Sequence, residues 1–284
     1  MTRFAYVNGG FSPVEEAAVS IEDRGFLFGD GVYDVVRVAN QSFFRLGRHL
    51  ERLRDNAHAI EIANIPPAGE LEDIARELLE RSDIDEGMLY LQVTRGAGPR
   101  QSDYPDEGSP TVVAYVDEMR RGVGEIRDEG ASVILVPEMR WKRCDIKSVN
   151  LLPKVMMKEK ASQSDCYEAV FSSEQGEVWE GTSTNLFVVE DGALRTTDHP
   201  ERVLPGITRR EVVEIAATEG IPVELSTVRV EELYEADEVF LTGTLTRVLG
   251  IVDVDGETIG DGSVGPMTQR LDRLLRERIE AETR

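Results

Sequence analysis

Apolar residues recur along this chain with two periods. Short runs alternate, longer runs repeat every three to four residues, and the two patterns separate strands from helices. The chain opens strand-like at residues 4–7, and Asn8-Gly9-Gly10 is a strong hairpin signal. Residues 17–21 predict a second extended stretch. Residues 22–31, with glycine at 25, 29 and 31, read as a loop. Val32-Tyr33-Asp34-Val35-Val36-Arg37-Val38 is rich in β-branched residues and predicts a strand, turned by Asn40-Gln41 into Ser42-Phe43-Phe44. Helices are predicted over 47–62, where Leu50, Leu53, Ala57 and Ile60 share a face, and over 70–80, where Leu71, Ile74, Ala75, Leu78 and Leu79 do. Strands at 88–94 and 111–116 flank residues 95–102, which carry too much glycine for regular structure.

Residues 117–130 are dense in charge and contain Gly122, Gly124 and Gly130. The first half of this stretch predicts a boundary between a domain over 1–120 and another over 121–284. The second domain opens with a strand at 131–136. Strands at 167–172 and 186–190 flank Glu180-Gly181-Thr182-Ser183-Thr184-Asn185, and Leu204-Pro205-Gly206-Ile207-Thr208 leads into a helix over 209–219. Further strands are predicted at 222–228, 239–242 and 249–254, and a last helix over 266–280. The class is α+β, with a small N-terminal domain and a larger, strand-rich C-terminal one.

Composition narrows the function. The chain has 284 residues, 40% hydrophobic, enough for a sizeable core. No apolar run approaches the length that spans a bilayer, and the first residues lack a signal-peptide layout. Cys144 and Cys166 make no disulfide framework, and three scattered histidines make no metal-ligand spacing. These features predict a cytoplasmic protein without structural metal. A net charge of −22 argues against nucleic acid and anionic membranes as partners.

The charge is also unevenly built. Lysine occurs only at 142, 147, 154, 158 and 160, and the other 27 of the 32 basic residues are arginines. Scarce lysine with strong acidity predicts adaptation to high salt, where repulsion is screened. It also directs attention to the stretch that keeps the amines, Trp141-Lys142-Arg143-Cys144-Asp145-Ile146-Lys147-Ser148. Arginine neither deprotonates in proteins nor forms a Schiff base, whereas lysine does both when its pKa is lowered. Lys154, Lys158 and Lys160 fall on the helix that follows, but Lys147 lies at the strand-to-helix turn.

An amine site with a phosphorylated cofactor needs an anion site and a carboxylate for the cofactor's ring nitrogen. Gly206-Ile207-Thr208 stands at a predicted helix N-terminus, where free N–H groups favour a phosphate. Thr242-Gly243-Thr244 is a second small, hydroxyl-bearing turn. Arg52 lies beside its helix's apolar stripe, placed to reach toward an anion, and Glu180 precedes a run of small residues. Singly these signals are weak: a Gly-X-Thr before a helix is usually a plain N-cap.

Their combination and order resemble the fold-type IV pyridoxal-phosphate enzymes, which include D-amino-acid aminotransferases, branched-chain aminotransferases and aminodeoxychorismate lyases. The resemblance runs almost end to end. Residues 22–33, Val93-Thr94-Arg95-Gly96 with Pro99-Arg100, residues 141–148 and Asp165-Cys166-Tyr167-Glu168-Ala169 look most like the D-amino-acid aminotransferases. It implies a two-domain fold with a small α/β N-terminal domain and a pseudo-barrel C-terminal domain carrying the lysine. It implies pyridoxal 5'-phosphate held through Lys147, which also moves the substrate's Cα proton. Glu180 would pair with the ring nitrogen and Tyr167 approach the phenolic oxygen. Arg52, Ile207, Thr208, Gly243 and Thr244 would bind the phosphate. Tyr33 and Arg100 would hold the substrate carboxylate, with Arg100 supplied by the partner in a homodimer, and Thr182 and Ser183 would line the substrate site. The implied reaction is ping-pong amino transfer between D-amino acids such as D-alanine and 2-oxo acids such as 2-oxoglutarate. A branched-chain L-amino-acid aminotransferase and an aminodeoxychorismate lyase are the alternatives on the same scaffold. In one departure, Ser102 stands where close D-amino-acid aminotransferases carry histidine, so the carboxylate trap is only partly reproduced.

Adaptation to salt predicts that the melting temperature rises between low and molar KCl. A flat or falling melting temperature would refute it.

Overall fold

Asn8 and Gly9 take φ of 45° and 95°, as a two-residue hairpin turn requires, and join β1 (Phe4–Val7) to β2 (Gly10–Pro13). The partner strand therefore starts directly after the turn. Residues 17–21, predicted to be extended, form no strand and are largely exposed. The glycine-punctuated loop contains a short helix, α1 (Arg24–Phe28), capped by Asp23, whose side chain accepts from the Gly25 N–H, and ended by Gly29 at φ 68°. Next come β3 (Gly31–Ala39), β4 (Ser42–Phe43), α2 (Leu46–Ala59), α3 (Ala68–Ser82), β5 (Gly87–Thr94) and β6 (Thr111–Glu118).

These strands form a six-stranded sheet in the order β2-β1-β6-β5-β3-β4, antiparallel throughout. Alternation along β5 buries Leu89, Leu91 and Val93 among Leu50, Leu53, Leu71 and Leu78 of α2 and α3. The other face carries a tyrosine ladder: Tyr33 stacks on Tyr90 at 5.6 Å and Tyr90 on Tyr115 at 5.2 Å between ring centres.

The second half of the chain comprises α4 (Val123–Glu129), β7 (Ala131–Pro137), α5 (Leu152–Gln163), β8 (Glu168–Ser172), β9 (Glu177–Gly181), β10 (Asn185–Glu190), β11 (Ala193–Thr196), α6 (Ile207–Thr218), β12 (Val223–Leu225), β13 (Val228–Arg229), α7 (Val230–Glu235), β14 (Glu238–Gly243), β15 (Arg247–Val254), β16 (Glu257–Thr258) and α8 (Pro266–Glu282). Strands β10-β14-β15-β7-β8-β9 run side by side, and pairing of β9 with β10 at Glu180 and Asn185 closes them into a barrel. The single strand predicted over 222–228 is two short ones. β12 pairs with β11 and β13 with β9, so the chain changes neighbours midway. Leu186, Val188, Val239 and Leu241 join the barrel's core cluster, and on the opposite face of β10 and β14 Phe187 and Phe240, both fully buried, stack at 4.9 Å. Glu238 on β14 accepts the N–H groups of Met267 and Thr268, each at 2.8 Å, and so caps the start of α8.

The computed structural model describes residues 3–105, 108–119 and 123–284. It divides into one unit of Met1–Met119, Ile146–Asn150 and Ile279–Arg284, and a second of Arg120–Asp145 and Leu151–Arg278. The boundary predicted at 120/121 lies outside the described residues. Lys147, predicted to belong with the C-terminal domain, is grouped with the first unit, because backbone hydrogen bonds tie its segment to β3. Among the described residues no helix is long and apolar enough to cross a membrane.

Truncating Phe187 to Ala should cost the barrel about 3–5 kcal/mol, read as a lower denaturation midpoint. A loss below about 1 kcal/mol would show that the stack is not a main support.

Candidate active site

Lys147 sits on an irregular segment fastened to β3. Its carbonyl accepts the Tyr33 N–H at 3.0 Å, the Val149 N–H donates to the Gly31 carbonyl at 3.0 Å, and Ser148 bridges to Val32. Ile146 is buried in the first unit's core and Ser148 is also buried. Between these anchors the Lys147 Nζ lies 4.3 Å from the Tyr33 ring centre, at the end of the tyrosine ladder. Two residues predicted from sequence are thus brought together, and Tyr33 is half-buried rather than part of the core.

The next residue on β3 points the other way. Asp34 is fully buried and accepts from His49 Nδ1 at 2.8 Å and from Arg52 Nε and Nη2, both at 2.8 Å. Burial opposes its charge, but Arg52 and His49 outweigh burial and hold the carboxyl well below the usual range. Burial pushes His49 below its ordinary value against the pull of Asp34. Arg52, predicted to reach toward an anion, is a fork held by Asp34. Arg100 is exposed, with its guanidinium 5.7 Å from the Phe28 ring centre.

In the second unit Glu180 lies inside β9, 2% exposed. Its Oε1 pairs with Arg140 Nη1, with Lys154 Nζ at 3.7 Å. Its Oε2 accepts Asn185 Nδ2 at 3.1 Å and the Leu204 N–H at 2.8 Å. Arg140, 8% exposed, also forks onto Glu138 and donates to the Arg202 carbonyl at 3.0 Å. Burial disfavours its charge, but Glu180 and Glu138 more than offset this, and it stays cationic. Three hydrogen bonds to Glu180 leave one of a carboxylate's roughly four acceptor positions open.

Tyr167 precedes β8. Its hydroxyl and Thr246 Oγ1 are 2.9 Å apart, and Lys158 Nζ lies 4.5 Å from its ring centre. Burial raises the phenol's pKa, partly offset by Thr246. The hydroxyls of Thr182 and Ser183 both donate to Oε1 of fully buried Glu168 at 2.8 Å, and Thr184 Oγ1 donates to its Oε2 at 2.7 Å. The structure thus binds these two predicted substrate residues into an internal network.

The second unit carries donor groups of the kind a phosphorylated pyridine cofactor needs. Ile207 and Thr208 are the first two residues of α6, whose leading N–H groups lack an intrahelical acceptor. Gly206 caps that helix where a Cβ would strike Asn185 Oδ1. Gly243 and Thr244 follow the buried Thr242 hydroxyl, which has no partner among the described residues. A phosphate needs such donors, and a ring nitrogen needs a carboxylate such as Glu180 offers. Amines, hydroxyls, helix N–H groups and a clamped carboxylate equip the chain for amine chemistry on a bound cofactor.

Comparison with known proteins agrees. Residues 31–254 match the Amino-transferase class IV family, and the chain belongs to that family. It is 40% identical over 276 residues to a D-alanine aminotransferase of Bacillus licheniformis, covering 97% of each chain. It is 38% identical to one of Staphylococcus haemolyticus over the whole of both. Among solved structures it is similar to a branched-chain amino acid aminotransferase from T.th. with pyridoxamine 5'-phosphate. There the TM-score is 0.91 with 28% identity, covering 100% of this chain and 96% of that one. A branched-chain aminotransferase of Thermoproteus uzoniensis with norvaline gives a TM-score of 0.87 at 27% identity, covering 98% of this chain and 95% of that one. The fold is therefore that of the fold-type IV aminotransferases, as the sequence predicts.

Asp34, His49, Arg140 and Glu168 escape the sequence reading. A carboxylate inside the β-branched run of β3 is a signal for Asp34, since buried carboxylates need partners. Nothing in composition separates Arg140 from the other 26 arginines.

The cysteines offer a check on burial. Cys144 is buried, and burial above all pushes its thiol up to about 11, whereas Cys166 is half-buried. At about pH 8 a thiol reagent should modify Cys166 in the native protein and Cys144 only after unfolding. Rapid native modification of Cys144 would contradict its burial.

Proposed function

We infer that this protein is a pyridoxal 5'-phosphate-dependent aminotransferase that moves an amino group between D-amino acids, D-alanine among them, and 2-oxo acids such as 2-oxoglutarate. The observation that carries this is its end-to-end similarity to D-alanine aminotransferases at 36–40% identity. The branched-chain enzymes resemble it as folds, at 24–28% identity, which keeps branched-chain L-amino acids as the second reading.

When bound, the cofactor supplies an electron sink and carries the amino group from one substrate to the next. The chain's residues do the rest. Lys147 would hold the cofactor through its amine and, once free, would take the proton from the substrate's Cα. Glu180, oriented by Arg140, Asn185 and the Leu204 N–H, would pair with the ring nitrogen. Tyr167, oriented by Thr246, directs its hydroxyl to the phenolic oxygen. Arg52, Ile207, Thr208, Gly243 and Thr244 hold the phosphate, with Asp34 fixing the Arg52 fork. Tyr33 and Arg100 bind the substrate carboxylate, which the planar guanidinium matches bidentately.

We place Arg100 in the partner subunit's site and read the protein as a homodimer. Supporting this, Leu152 and Val155 on α5, together with Trp141, are large, exposed apolar side chains. Two free cysteines favour a cytoplasmic setting, and the charge pattern favours a salt-adapted one.

The test is spectroscopic. The cofactor-loaded protein is given D-alanine, L-leucine or aminodeoxychorismate separately, and its visible absorption band is followed. Loss with D-alanine alone is expected; loss with L-leucine alone, or with aminodeoxychorismate alone, would overturn the assignment. Lys147→Ala should abolish the attached-cofactor band and reduce turnover by several orders of magnitude. Normal turnover in that variant would exclude the role.

A further inference from the structure

The first unit contains a buried charge cluster that none of these steps uses. Arg24 and Arg95 are 4% and 7% exposed. Both donate to Asp30: Arg24 Nε to Oδ2 at 2.8 Å, Arg95 Nε to Oδ2 at 2.8 Å and Arg95 Nη2 to Oδ1 at 3.0 Å. Two guanidinium groups on one carboxylate leave a net positive charge out of water, which costs stability unless the remaining N–H groups are paired. Those groups go to backbone carbonyls. Arg95 donates to Ile60 at 2.6 Å and Glu61 at 2.8 Å, and Arg24 to Gln101 at 2.7 Å and Ser102 at 3.5 Å.

The cluster therefore holds one loop at both ends. At its start, Arg95 N–H donates to the Asp30 carbonyl at 3.1 Å, Arg24 N–H to the Gly96 carbonyl at 2.9 Å, and Gly98 N–H to the Glu22 carbonyl at 3.2 Å. At its end are the Gln101 and Ser102 carbonyls, and the Tyr104 ring centre lies 3.5 Å from the Arg95 guanidinium carbon. Gly96, at φ 94°, lets the loop turn close to the Ser109 carbonyl. Arg100 lies between the tethers and makes no hydrogen bond or ion pair among the described residues, so its donors remain available for a ligand. Phe28 ties it to the cluster, with its ring centre 4.8 Å from the Arg24 guanidinium carbon and 5.7 Å from that of Arg100.

We propose that Asp30, acting through Arg24, is a positioning residue for recognition of the substrate carboxylate, because it fixes the loop that presents Arg100. The inference rests on the reading that Arg100 binds that carboxylate. An arginine on a slack loop must be ordered at each binding event, and an ordered loop removes that cost beforehand. Asp30 is held ionised: burial raises its pKa, but Arg95 and Arg24 outweigh burial and lower it.

The test uses the cofactor-loaded protein and three variants, Asp30→Asn, Arg24→Lys and Arg100→Ala. Each is assayed for KM and kcat with D-alanine, for competitive inhibition by propionate as a bare carboxylate, and for cofactor affinity. Asp30→Asn should raise both KM and the propionate inhibition constant by at least about 10-fold, with kcat and cofactor affinity little changed. Arg24→Lys keeps the charge on Asp30 but loses the fork to Gln101 and Ser102, and should show the same pattern. It decides the matter should Asp30→Asn fail to fold. If Arg100→Ala weakens propionate while the folded Asp30 and Arg24 variants do not, the positioning role is refuted and the Arg100 reading stands. If Arg100→Ala changes neither constant, both readings fall.

Discussion

The amide of Tyr33 donates to the carbonyl of Lys147, and that backbone bond is the constraint on which the first unit's chemistry depends. A lysine on an irregular segment would ordinarily be mobile, since no helix or sheet ladder orders it. Here the segment borrows order from β3 through the bonds at Gly31, Val32 and Tyr33. The same strand then uses its alternation twice. Tyr33 faces Lys147, while Asp34 faces α2 and holds His49 and Arg52. Because the period of a strand is two, a one-residue slip of β3 would exchange these roles and lose both.

Charge is handled by one recurring device. Arg52, Arg95 and Arg140 are each forked onto a carboxylate and Arg24 donates one N–H to Asp30, while Arg24, Arg95 and Arg140 use further N–H groups on backbone carbonyls. A lysine offers three donors on a flexible stem and cannot reproduce the planar fork. The excess of arginine over lysine therefore has a structural component as well as any link to salt. These buried pairs do not by themselves make the protein more stable than an apolar core would. What they secure is geometry: Glu180 cannot rotate without breaking three hydrogen bonds.

Much of this was legible in the sequence. Long periodic elements such as α2, α3, β3 and β5 lie within a few residues of their predicted limits, because alternation and the three-to-four spacing survive folding. Lys147 stood out through lysine scarcity and its turn position. The misses have physical causes. The five-residue α1 is too short to show a period, although its Asp23 cap and Gly29 stop are both readable signals. The division of residues 222–228 between two neighbouring strands depends on pairing partners far along the chain. Arg140 and Glu168 act through contacts with residues 40 and 14–16 positions away, which no local spacing encodes.

The chain's path between its two units has a consequence for how it is made. The first unit is assembled from three separate stretches, and Lys147 enters it only with the second, Ile146–Asn150. All six strands of the β1–β6 sheet lie within the first 119 residues and leave the ribosome first. Its contacts to Thr283 and Glu282, through Asn40 and Arg45, must wait until the barrel strands have been synthesised. Neither unit can be cut out as one continuous fragment.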